Sequence, residues 1–172
     1  MACEAGDWKA GCSYGVPISV DDYDGQSIVA YATCLEKNAD FPDRSVQVYQ
    51  RALQSAPDLE DVRIRLAQLL MRTKDAAAAI ETLREGVARD NRSIRLRYML
   101  AMAELAAGDT EEALSHLQTL VASDQIGTYR SKGDVYRLMG KCLIKKNLLN
   151  AAMNQLHLAG TDKETLDEMY NL

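Results

Sequence analysis

Between residues 60 and 72 the apolar and polar residues follow a helical period. Val62, Leu66, Leu69 and Leu70 fall on one face, and Asp61, Arg65, Gln68 and Arg72 fall on the other, at steps of four, three and four. A longer period overlies this one. The small residues Ser45, Ala79 and Ala113 stand 34 apart, and Ala152 follows after a step of 39. Four residues beyond each comes a bulky one, Tyr49, Leu83, Leu117 and Leu156, and three further on come Ala52, Gly86, Leu120 and Ala159. About twelve residues upstream of each small residue stand Ala32, Ala67, Ala101 and Gly140, preceded by Tyr31, Leu66, Leu100 and Met139. Turn-forming residues separate the two stretches: Asn38 to Asp43, Lys74-Asp75, Gly108-Asp109 and Lys146-Asn147.

Each unit therefore reads as two short helices joined by a tight turn. A small residue on each helix lets the backbones approach, and bulky neighbours fill the space around that contact. One such pair cannot bury its own apolar face, so successive pairs stack, and a period of this length predicts a solenoid. The pattern resembles the tetratricopeptide repeat. The residues that carry the likeness are Tyr136, Met139-Gly140, Leu143, Ala152 and Leu156 in the last full unit. Leu100-Ala101, Gly108-Asp109, Glu112-Ala113-Leu114 and Leu117 carry it in the third, and Tyr49, Ala52-Leu53 and Pro57 close the first.

The resemblance implies an all-α, right-handed superhelical solenoid of about four helix-turn-helix repeats plus a partial or capping helix. It covers residues 25–172, in units of about 25–59, 60–93, 94–127 and 133–165, with a partial fifth at 166–172. Residues 1–24 form a non-repeat arm. Three features depart from the pattern: Pro42 and an extra residue in the first internal turn, Glu104 where an apolar residue is usual, and a longer loop at Gln125 to Tyr129.

In the resembled family the first helices of successive units line a concave groove. Helical phase assigns that face here as Asp61, Arg65, Gln68 and Arg72, then Arg95, Met99, Met102 and Ala106, flanked by Tyr98 and Leu105. Next come Asp134, Leu138, Lys141 and Lys145, flanked by Arg137 and Ile144. The stripe reads basic, then apolar and Met-rich, then basic, against a net charge of −5 for the whole chain. Arginine and lysine suit carboxylates on a partner, and Met and Tyr suit an adaptable apolar contact. The expected site is thus a protein-binding groove of Arg65, Gln68, Arg72, Arg95, Tyr98, Met99, Met102, Arg137, Lys141 and Lys145, receiving an acidic or amphipathic peptide or helix. The family's two-carboxylate clamp needs paired Lys and Asn where the first unit has Val29 and Thr33, so that function is not carried over.

Composition narrows the remaining classes. An acidic chain is a poor binder of phosphate backbones, so nucleic acid is not expected as a partner. No apolar run is long enough to span a bilayer, and residues 1–10 lack a signal peptide's pattern. The sequence has no phosphate loop, no nucleophile elbow and no metalloprotease motif. His116 and His157 read as packing or surface residues, so no enzyme, cofactor or metal is expected. Asp22, Asp24 and Gly25 hint at a calcium loop, but Val20 and Tyr31 stand where its carboxylates should be.

Cys34 and Cys142 read as small buried hydrophobes. Cys3 and Cys12 could pair, with a reduced, cytoplasmic chain as the default. At the other end Thr161-Asp162 caps a further helix carrying Leu166, Met169, Tyr170 and Leu172. This begins a fifth unit, which serves as a cap or continues in a longer protein. Self-association through it, or an assembly role within a larger protein, is the alternative to groove binding.

Overall fold

The computed structural model describes residues 25–37, 42–123 and 132–160. The N-terminal arm, the loop at Gln125 to Tyr129 and the C-terminal helix lie outside them. Among the described residues eight helices follow in order: α1 Gly25–Lys37, α2 Pro42–Ser55, α3 Glu60–Arg72, α4 Ala76–Arg89, α5 Ile94–Ala107, α6 Thr110–Ala122, α7 Lys132–Lys145 and α8 Leu149–Leu158. Among the described residues there is no strand. The fold is an all-α array of helix-turn-helix repeats. Two compact units divide it, at Met1–Arg89 and Asp90–Leu172.

In the first unit α1 packs on α2 and α3 on α4, with α2 and α1 both against α3. In the second, α5 packs on α6 and α7 on α8, with α6 and α5 both against α7. The small residues of the long period are the places where helices meet. Ala32, Ser45, Ala67, Ala79, Ala101, Ala113 and Ala152 are all at 0% exposure. Ser45 takes the alanine position without leaving its hydroxyl unpaired, since Oγ donates to the carbonyl of Ala32 on α1 at 3.2 Å. Tyr31, Tyr49, Leu66, Leu83, Leu100, Leu117 and Leu156 pack around these contacts, each nearly or fully buried.

Three of the internal turns share one bonding pattern. The amide of Asp75 reaches the Leu70 carbonyl, that of Asp109 reaches Glu104, and that of Leu148 reaches Leu143, each at 2.9 Å. A residue at positive φ precedes each donor: Lys74 at 64°, Gly108 at 102° and Asn147 at 60°. This is the left-handed helix stop in which the sixth residue bonds back to the first. Only Gly108 adopts it without side-chain strain, so Lys74 and Asn147 are held there by the helices on either side. Asp75 then accepts from the Ala78 amide, and Ser93 from the Leu96 amide, at 3.1 Å each, capping the starts of α4 and α5.

Besides Ser45, two buried ionisable side chains tie helices together. Arg63 on α3 is 3% exposed. Its guanidinium donates to the Thr82 carbonyl on α4 at 2.8 Å, to the Pro57 carbonyl before α3 at 2.9 Å, and to Glu85 at 3.2 Å. Glu104, the departure noted in the third repeat, is 1% exposed on α5 and faces His116 on α6, with Oε1 and Nε2 3.5 Å apart. His116 is therefore a cross-hairpin partner of the misplaced carboxylate.

The cysteines divide. Cys142 is at 0% exposure within the second unit's core, as expected of a small hydrophobe. Burial pushes its thiol up to about 11, partly offset by the Lys145 charge. Between the ordinary thiol value of roughly 8.5 and about 11, the unfolded chain ionises here and the folded chain does not. Stability contributed below that window is lost as pH rises through it. Urea unfolding at pH 8 and pH 10 should show a larger loss for the wild type than for Cys142→Ala. Equal losses would remove the thiol from the explanation.

Cys34 is half-buried and disulfide-bonded. That corrects its reading as a small buried hydrophobe. No described helix is long and apolar enough to cross a membrane.

Candidate functional site

Helical phase sets the outward face of α3. With Val62, Leu66, Ala67, Leu69 and Leu70 buried, Asp61, Arg65 and Arg72 are left exposed and Gln68 half-buried. Arg65, Gln68, Met71 and Arg72 line a cleft of about 400 Å³. Three of these four were expected from sequence. Met71 was missed, although it stands three residues past Gln68 and next to Arg72, where a slightly wider stripe would have included it. The cleft offers guanidiniums for anionic groups, an amide that both donates and accepts, and a polarisable thioether.

In the second unit the expected residues fare unequally. Arg95 is exposed, while Tyr98 and Met102 are half-buried and pack against the core cluster that contains Leu105, Leu114 and Leu138. Met99 is only 8% exposed. It lies three residues after Leu96 and four before Ala103, both buried, so its phase puts it inside. Its assignment to the groove surface is corrected accordingly. The cause is that α5 is apolar nearly all round, which leaves the period little to distinguish.

On α7, Arg137, Lys141 and Lys145 are exposed. Arg137 donates to Asp134 one turn earlier. Lys145 reaches across to α5, where its ammonium donates to the Leu105 carbonyl at 3.1 Å. That bond adds a second donor to a carbonyl of the last turn of α5, which also accepts from the Gly108 amide at 3.3 Å, and makes Lys145 partly a structural cap. Lys132 sits 5.9 Å from the centre of the Tyr136 ring. Leu138, placed on the same stripe by sequence, is 8% exposed and belongs to the core. Among the described residues no group of three or more His, Cys, Asp or Glu could hold a metal ion.

The repeat itself decides the family. A family model described as tetratricopeptide repeat matches residues 39–102 and again 74–126, together just over half of the chain. This chain belongs to the tetratricopeptide repeat family. No curated protein matches it. Solved structures similar to it include MamA of AMB-1, at 20% identity with 95% of each chain covered and a TM-score of 0.66. MamA from Desulfovibrio magneticus RS-1 is 17% identical over 95% of this chain and 88% of that one, with a TM-score of 0.66. A further MamA crystal structure is 13% identical over 95% and 92%, with a TM-score of 0.68. At such identities the likeness is one of fold. As a tetratricopeptide repeat chain, the protein is a protein-interaction scaffold, and repeats of this family are in general not catalytic.

Proposed function

We propose that the exposed basic faces of this chain hold an acidic or amphipathic peptide or helix of a partner protein. The α3 face contributes Arg65, Gln68, Met71 and Arg72. The second unit offers a face of its own, with Arg95, Arg137 and Lys141 and with Tyr98 and Met102 at the edge of its core. The observation that carries the reading is the α3 cleft, built from cationic and amphipathic side chains in a chain whose net charge is −5. Such segregation favours carboxylate-bearing partners and steers their approach. A fluorescent glutamate-rich helical peptide tests it by anisotropy. Combined Arg65→Glu, Arg72→Glu and Lys141→Glu should weaken binding roughly tenfold or more, as should a rise in salt. Binding indifferent to both changes would sink the proposal.

A second reading is assembly through α8. Leu149 and Met153, one turn apart on the same side of that helix, are 42% and 49% exposed. Met153 is in register with Leu114 of the preceding repeat, which is only 9% exposed. An apolar face of that kind is more often covered than left in water. Light scattering over a concentration series should show association that Leu149→Glu with Met153→Glu abolishes. A monomer at every concentration would discard it.

A further inference from the structure

We infer that the α3 cleft selects a helical segment whose acidic residues lie seven apart with an apolar residue between them, a proposal that rests on the acidic-partner reading above. Arg65 and Arg72 are seven residues apart on one helix. At 1.5 Å per residue their backbones stand about 10.5 Å apart, and two turns bring them to nearly the same side. An extended segment presents same-side residues about 6.7 or 13.4 Å apart, so it meets one arginine at a time. A helix presents residues i and i+7 at the same spacing of about 10.5 Å as the two arginines. Its i+3 and i+4 side chains then fall between them, over Gln68, with Met71 beside the Arg72 end.

The lining positions support the same choice. Residues 65, 68 and 72 follow the alternating three- and four-residue steps of a heptad seam, which is the surface one helix offers another. The seam is charged at its ends and neutral at its centre. Its complement is acidic at its ends and apolar at its centre. Met71, next to Arg72, gives an apolar residue that lies between the acids, toward that end, a deformable contact, and the two guanidiniums give the end carboxylates planar, forked donors. The register of the acids, and not only their number, then sets affinity.

Three labelled peptides test this against the full chain by fluorescence anisotropy. The first, on an Ala/Gln helical background, carries two Glu seven apart flanking a Leu pair. The second has the same composition with its Glu five apart, which turns them to different faces. The third is proline-rich and extended, with its acids three apart. The first should bind roughly tenfold tighter than the second and gain helical circular dichroism on binding. Arg65→Gln and Arg72→Gln should each weaken the first about fivefold and barely move the second. If the first two peptides bind alike and lose affinity alike in both variants, the spacing inference falls while the acidic-partner reading stands. Tightest binding by the extended peptide overturns the helical occupant. If none binds, or if neither substitution changes binding, both proposals fall.

Discussion

Replacing Arg63 with Ala should destabilise the first unit by about 3–5 kcal/mol, far more than its ion pair alone suggests. The pair is the weak part of the arrangement. Glu85 is 62% exposed, so water already solvates its carboxylate, and Glu85→Ala should cost less than about 1 kcal/mol. The strong part is the pair of backbone carbonyls, Pro57 and Thr82, that the guanidinium reaches at 2.9 and 2.8 Å. Truncation leaves both without this donor and opens a cavity between α3 and α4. Arg63→Lys keeps the charge but lacks the fork that reaches two carbonyls at once, so it should fall between the other two. Urea denaturation followed by circular dichroism orders the three. A loss for Arg63→Ala no larger than for Glu85→Ala would mean that the carbonyl contacts contribute nothing.

Much of the fold is legible because two periods agree. The helical period marks the buried face of α3, and the 34-residue period marks where faces meet. Ala67, Ala79, Ala101 and Ala113 are buried where the second period places them. The turns are legible for a different reason. Each carries a residue that tolerates or is forced into positive φ, although Lys74 shows that composition alone understates the constraint. The Glu104–His116 pair was readable in principle. Glu104 stands three residues past Ala101 and His116 three past Ala113, so each shares the helix face of the small residue that the hairpin buries. Arg63 gave no such signal, because carbonyl acceptors have no identity in the sequence.

The candidate site was legible on α3 and poorly so on α5. Strong amphipathicity fixed Arg65, Gln68 and Arg72 on the exposed side, where they line the cleft. On α5 apolar residues surround the helix, so nothing in the pattern marked the edge of the buried face, and Met99 was placed on the surface although Arg95 and Ala106 of the same stripe are exposed. On α7 the phase was correct for Arg137, Lys141 and Lys145, but phase says nothing about what a long side chain bonds to. Lys145 reaches the end of α5 because lysine spans the distance to a neighbouring helix terminus, a fact of packing and not of pattern.

Gly140→Leu should be among the most destabilising changes in the second unit. A Cβ at Gly140 would stand 2.7 Å from both Cγ and Cδ2 of Leu156, closer than side-chain carbons approach. Leu156 is at 0% exposure on α8, so it has no solvent to retreat into. Even Gly140→Ala carries a decisive sign. In an exposed helix that change would stabilise by up to about 1 kcal/mol, whereas overpacking here should cost about 1–3 kcal/mol, and more for Leu. Ala101 holds the equivalent place one repeat earlier, also at 0% exposure, so Ala101→Leu should behave like Gly140→Leu. In a stacked array, damage at such a contact also weakens the coupling to neighbouring repeats. Ala77 sits exposed in the first turn of α4, and Ala77→Leu should stay within about 0.5 kcal/mol of the wild type. Thermal melts of the four variants separate the cases. A stabilised Gly140→Ala, or an Ala101→Leu that melts with Ala77→Leu, would show that the small residues are not the contact points of the helices, and the phase that places Arg65 and Arg72 outward would lose its support.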